Sequence, residues 1–116
     1  MAVYSSNLII KTGTTFEQVF TLEDGESNSP INLTNFGVSA QMRKHRGAQG
    51  PTGITTFTCS IYDAVGGKIQ IGLSTTQTAK LKPGRHVYDV ITTNTTGVMK
   101  CVVEGMVLVS QAVTRT

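Results

Sequence analysis

Two histidines, His45 and His86, are the side chains whose ordinary pKa lies closest to neutrality, so general-base chemistry would have to run through one of them. Hydrolysis by a nucleophile, a base and an orienting acid needs the three held in fixed relation. The Gly-x-Ser-x-Gly turn that presents a serine nucleophile does not occur in the chain. The carboxylates offer no better start: Glu23, Asp24 and Glu26 crowd one polar run, while Asp63, Asp89 and Glu104 stand singly. Metal chemistry lacks its spacing too, with no Cys-x-x-Cys, no His-x-x-x-His and no EF-hand loop. The acidic run reads as solvated loop charge. These residues predict no catalytic, cofactor-binding or metal-binding group.

The one concentrated feature is Arg43-Lys44-His45-Arg46, followed by the glycine-rich Gly47-Ala48-Gln49-Gly50-Pro51-Thr52-Gly53. Backbone N–H groups beside guanidinium groups can hold an anion. The Lys-Ser/Thr ending that a phosphate loop needs is missing. Nucleic-acid binding calls for aromatics to stack on bases, and this run has none. The other basic residues are scattered, and the net charge is only +3. The run is therefore read as a solvated tip or as a contact made to a neighbouring subunit. Arg43, Lys44, His45, Arg46 and Gln49, with Arg115 near the C-terminal end, are the expected contact residues.

The elements that must position these residues are strands. Leu81-Lys82-Pro83-Gly84 reads as a tight turn, because Pro presets φ at a turn's second position and Gly accepts the positive φ that follows. His86 to Thr93 is rich in β-branched residues and reads as a strand. A leucine, a tight turn and then a tyrosine recur at the corners of β-sandwiches, where the ring packs inside and its hydroxyl bonds a nearby backbone group. Leu81, Pro83, Gly84 and Tyr88 are thus the expected structural corner, with Tyr88 on a central strand.

Elsewhere period-two alternation carries the reading. Phe16, Gln18, Phe20 and Leu22 fall on one face of a strand over 15–22; Val38, Ala40 and Met42 do so over 38–43. Ile31 to Leu33 reads as a brief extended piece, and His45 to Gly53 as the most mobile loop. Ile54 to Tyr62 reads as one strand, joined through Asp63-Ala64-Val65-Gly66-Gly67 to a second bearing Ile69, Ile71 and Leu73. Ser74 or Thr75 can cap a single helical turn ahead of Leu81. Val98 to Val109 is the longest strand, and Gly105 within it marks a bulge or a close backbone approach. The sum is an all-β, immunoglobulin-like antiparallel sandwich of about seven strands with one short helical turn.

With 116 residues the length prior gives one domain, residues 1–116. Charged residues reach only 15% and serine and threonine fill the gap, a balance that suits polar-surfaced strands and not a helical bundle. The first residues lack the basic and apolar blocks of a secretion signal, and no apolar run is long enough to span a membrane. Cys59 and Cys101 are accordingly read as reduced, small hydrophobic residues. A protein made in the cytoplasm and working through its surface is the expectation these features support.

The order of segments also resembles a family of small virion structural proteins of tailed bacteriophages. The resemblance runs through Gly13-Thr14-Thr15-Phe16, Pro30-Ile31-Asn32-Leu33-Thr34 and Ala40-Gln41-Met42-Arg43-Lys44. It continues through Gly67-Lys68-Ile69, Thr78-Ala79-Lys80-Leu81-Lys82-Pro83-Gly84, His86-Val87-Tyr88-Asp89-Val90, Glu104-Gly105-Met106-Val107-Leu108-Val109 and Val113-Thr114-Arg115. Two features depart from that pattern: His86 stands where the family often has another aromatic, and the insert after Lys44 is longer than usual. The resemblance implies a non-enzymatic tail, baseplate or neck subunit, assembled in the host cytoplasm into the virion, whose partners are other virion proteins and copies of itself. A capsid decoration protein and an adhesion module for the host surface are the rival roles. No small-molecule substrate, cofactor or membrane is implied.

Overall fold

In the computed structural model, residues 4–23, 31–44 and 54–113 are described. The strands are β1 (Tyr4–Ser5), β2 (Leu8–Lys11), β3 (Phe16–Thr21), β4 (Gly37–Arg43), β5 (Ile54–Thr56), β6 (Thr58–Asp63), β7 (Lys68–Leu73), β8 (Gly84–Thr93) and β9 (Met99–Ser110). One helix, α1 (Thr75–Ala79), lies between β7 and β8. The larger sheet runs β1-β9-β8-β4-β5, with β2 also on β9; the smaller runs β3-β7-β6.

The two sheets face each other across a core of Leu8, Ile10, Phe20, Leu22, Leu33, Ala40, Met42, Phe57, Ile69, Ile71, Leu73, Tyr88, Val90 and Val102, Val103, Val107, Val109. Alternation produces this: in β7 and β8 every second residue is buried, and the same phase holds at the end of β4. Strand order and connections are those of an immunoglobulin-like sandwich, as the sequence suggests.

Two details differ from the sequence reading. The sandwich is not wholly antiparallel, because β1 and β2 pair parallel to β9 (Tyr4 with Val103, Leu8 with Val107). Ile54 to Tyr62 is not one strand. β5 pairs with β4 in the larger sheet, whereas β6 pairs with β7 in the smaller. The crossing occurs at Phe57, whose N–H still donates to the Ala40 carbonyl at 2.9 Å while its ring turns into the core against Phe16 and Tyr88. Burying that ring between the layers outweighs continuing the ladder in either sheet. Ile31 to Leu33 is extended but forms no strand; Leu33 is fully buried, and its N–H donates to the Ala64 carbonyl at 2.8 Å.

The helical turn forms where capping chemistry allows it. Ser74 accepts from the Gln77 N–H at 3.2 Å and Gln77 returns its side-chain oxygen to the Ser74 N–H at 2.9 Å, a reciprocal capping box. Thr78, fully buried, donates to the Thr14 carbonyl at 2.7 Å and pins the turn to the β2–β3 connection.

Candidate functional site

The corner at the start of β8 is built, but by different hands than the sequence suggests. The chain bends at Pro83 and enters β8 at Gly84, whose φ of +132° favours glycine. Leu81 packs against the edge of the core. The bond back onto the corner is made by His86, buried, whose Nε2 lies 2.9 Å from the Lys82 carbonyl and so carries the proton it donates. Tyr88 lies on a central strand between β9 and β4, yet its hydroxyl reaches the other way, to the Ser6 carbonyl at 2.6 Å. Burial pushes the Tyr88 phenol above its ordinary pKa. His86 is thereby held in a hydrogen bond that ties β8 to the residues before it.

Gly105 is the register partner of Tyr88, and a side chain there would run into the Ser6 carbonyl. Of the two readings of Gly105, close approach is the correct one. The bulge in this strand lies elsewhere, at Val102, opposite the step from Val90 to Ile91. Beside Gly105 the ladder of β1 and β2 breaks at Ser6-Asn7, and the Asn7 side chain takes over by accepting from the Met106 N–H at 3.1 Å.

Of the expected contact residues, Arg43 ends β4 and Lys44 follows it, with its ammonium against the spot where a side chain on Gly84 would sit. Arg43 donates to the Gln41 side chain at 3.2 Å. His45, Arg46, Gln49 and Arg115, and the expected mobile loop from His45 to Gly53, lie outside the described residues. The Cys59 thiol donates to the Phe57 carbonyl at 3.6 Å and the Cys101 thiol to the Val103 carbonyl at 3.5 Å, and burial raises the pKa of Cys59.

Sequence reasoning missed the outer face of the larger sheet. Register aligns its outward side chains in rows: Ile9, Leu108 and Arg85; then Met106, Val87 and Arg43; then Glu104, Asp89 and Gln41. Ile9 is 66% exposed, Leu108 46% and Met106 45%. A shallow hollow of about 320 Å³ lies on this face among Gln41, Arg43, Val87, Asp89 and Ile91. A second, of about 290 Å³, lies by Phe16, Glu17 and Gln77. Among the described residues no group of three or more His, Cys, Asp or Glu side chains could hold a metal. No described helix is long and apolar enough to cross a membrane. A signal for the outer face was present: Leu8-Ile9-Ile10 and Met106-Val107-Leu108-Val109 are apolar runs, not alternations, and runs mark strands covered on both faces.

No family model matches the chain, and no curated protein matches it. Among solved structures it is similar to AggA, the major subunit of aggregative adherence fimbriae type I from Escherichia coli. The likeness covers 93% of this chain and 91% of that one at 10% identity, with a TM-score of 0.39. The fold assignment accordingly stands on this chain's own strand order and register.

Proposed function

We propose that this protein is a structural subunit of a tailed-phage particle, in the tail, baseplate or neck, that acts by protein–protein contact and carries out no reaction. The observation behind the reading is the outer face of the larger sheet. Apolar side chains stand there on adjacent strands where an antiparallel sheet facing water shows polar ones. The segments that resemble the virion proteins suggest the particle; the face supplies the means of contact. Its partners are then other particle proteins and further copies of the chain, and its place is the virion after assembly in the host cytoplasm.

The test is quantitative mass spectrometry of purified particles, followed by density for the subunit in the intact virion. Multiple copies at the tail, baseplate or neck support the reading. A position on the capsid shell would make it a decoration protein, and binding of the isolated chain to host cells would make it an adhesion module. Absence from particles overturns the proposal. Deleting Gln49 to Gly53 is expected to weaken assembly; unchanged assembly would remove that loop from the contact.

A further inference from the structure

Along the outward side of β8 the residues read Arg85, Val87, Asp89: a cation, an apolar residue and an anion, evenly spaced about Val87. The neighbouring strand β9 sets Met106 opposite Val87, with Leu108 beyond it on the Arg85 side and Glu104 on the Asp89 side. Charge along β8 is therefore antisymmetric about Val87, while β9 sets the anionic Glu104 against the apolar Leu108 about Met106. A surface of that pattern is complementary to itself when turned end for end.

We propose that the outer face of the larger sheet is an isologous dimer interface, whose occupant is a second copy of this chain. The two-fold axis crosses the strands through Val87 and Met106. Val87 meets its counterpart, Met106 meets its counterpart, and Arg85 of each copy stands over Asp89 of the other. Leu108 packs on the aliphatic stem of the other copy's Glu104. Arg43 also lies on the axis, where like charges would meet, but its guanidinium is drawn along β4 onto Gln41 at 3.2 Å. The two Arg43 heads are thus offset from one another.

Four strands at ~4.8 Å spacing and about 25–30 Å of strand give a patch of roughly 500–600 Å² per copy. That is below the ~800 Å² per partner of a standard stable interface, so the dimer is a weak, concentration-dependent one. Arg85 and Asp89 are about 13 Å apart along the strand, which leaves two separate ion pairs flanking an apolar centre.

The inference rests on reading this face as a contact surface, but not on the particle to which the subunit belongs. The test is sedimentation equilibrium of the full chain with the single variants R85E and D89R, the double variant R85E/D89R, and an equimolar mixture of the two singles. Each single variant sets like charges together twice per dimer and is expected to weaken self-association at least about tenfold. The double variant restores opposite charges and is expected to dimerise like the parent. The mixture is expected to form heterodimers, since each chain then supplies what the other lacks. Circular dichroism shows whether each variant is folded. A parent chain monomeric to ~0.5 mM overturns the proposal, and so do single variants that dimerise as well as the parent. Failure of the double variant and the mixture to recover, with both folded, overturns it equally. A particle search that finds no subunit would leave this result standing, so the two readings fail separately.

Discussion

The hydroxyl of Tyr88 donates to the carbonyl oxygen of Ser6 at 2.6 Å, a bond between residues 82 apart in sequence. It is the point where the middle of the larger sheet holds the strand at its edge. Replacing Tyr88 by Phe keeps the ring contacts with Phe57 but strands that carbonyl, and is expected to cost about 1–2 kcal/mol. Urea denaturation of the two proteins measures it, and a loss under a few tenths of a kcal/mol would mean water replaces the phenol.

Alkali should find the same group. Burial raises the Tyr88 pKa above its ordinary 10.0, so the native state keeps a proton that the unfolded chain gives up. Above pH 10 the unfolded state binds fewer protons and stability falls as pH rises; the contribution is complete below that value and is lost through the folded-state pKa. The urea midpoint is expected to fall less steeply between pH 9.5 and 11 in Tyr88→Phe than in the parent, and parallel curves would show that Tyr88 plays no part.

At Gly105 a single methyl group is in question. Gly105→Ala would set its Cβ against the Ser6 backbone, and the edge strands β1 and β2 would have to move off β9. A cost of about 1–3 kcal/mol is expected. Faster amide hydrogen exchange over 5–11 in the variant, with the smaller sheet unaffected, is the diagnostic pattern; uniform acceleration would point to general unfolding instead.

His86→Ala removes both a buried ring and the bond to the Lys82 carbonyl, and is expected to destabilise by about 1–2 kcal/mol. His86→Phe keeps the packing and loses only the bond, so its thermal midpoint should fall between those of the parent and the alanine variant. A phenylalanine variant as weak as alanine would assign the whole effect to the hydrogen bond.

Ser74→Ala breaks the capping box on α1 and is expected to cost about 1 kcal/mol. Thermal denaturation gives the value. Ser74→Asp, which caps equally well, should restore it.

Much of the sandwich could be read from alternation, because each strand buries one face and polar residues mark the other. Phe16 to Leu22, Val38 to Met42 and Ile69 to Leu73 point inward as their spacing demands. What alternation cannot show is which sheet a strand joins. Ile54 to Tyr62 keeps one phase through Phe57, yet its halves pair with different partners, a choice made by where the Phe57 ring finds room. The Tyr88 partner was hidden for a related reason: a hydroxyl's acceptor depends on which backbone passes over it, and Ser6 arrives from the far end of the chain. The basic residues Arg43 and Lys44 drew attention because charge is conspicuous in a sequence. The apolar runs holding Ile9, Leu108 and Met106 are visible in the sequence, but only register shows that these side chains form one continuous patch.

The parallel seam between β2 and β9 has a kinetic consequence. Leu8 and Ile10 find their places only when Val107 and Val109 exist to receive them, so a ribosome must have made nearly all of the described chain before this edge can form. Until then Leu8 and Ile10 wait unpaired, and folding is governed by the search of two segments far apart in sequence for one another, a slow, millisecond-to-second process in proteins so connected.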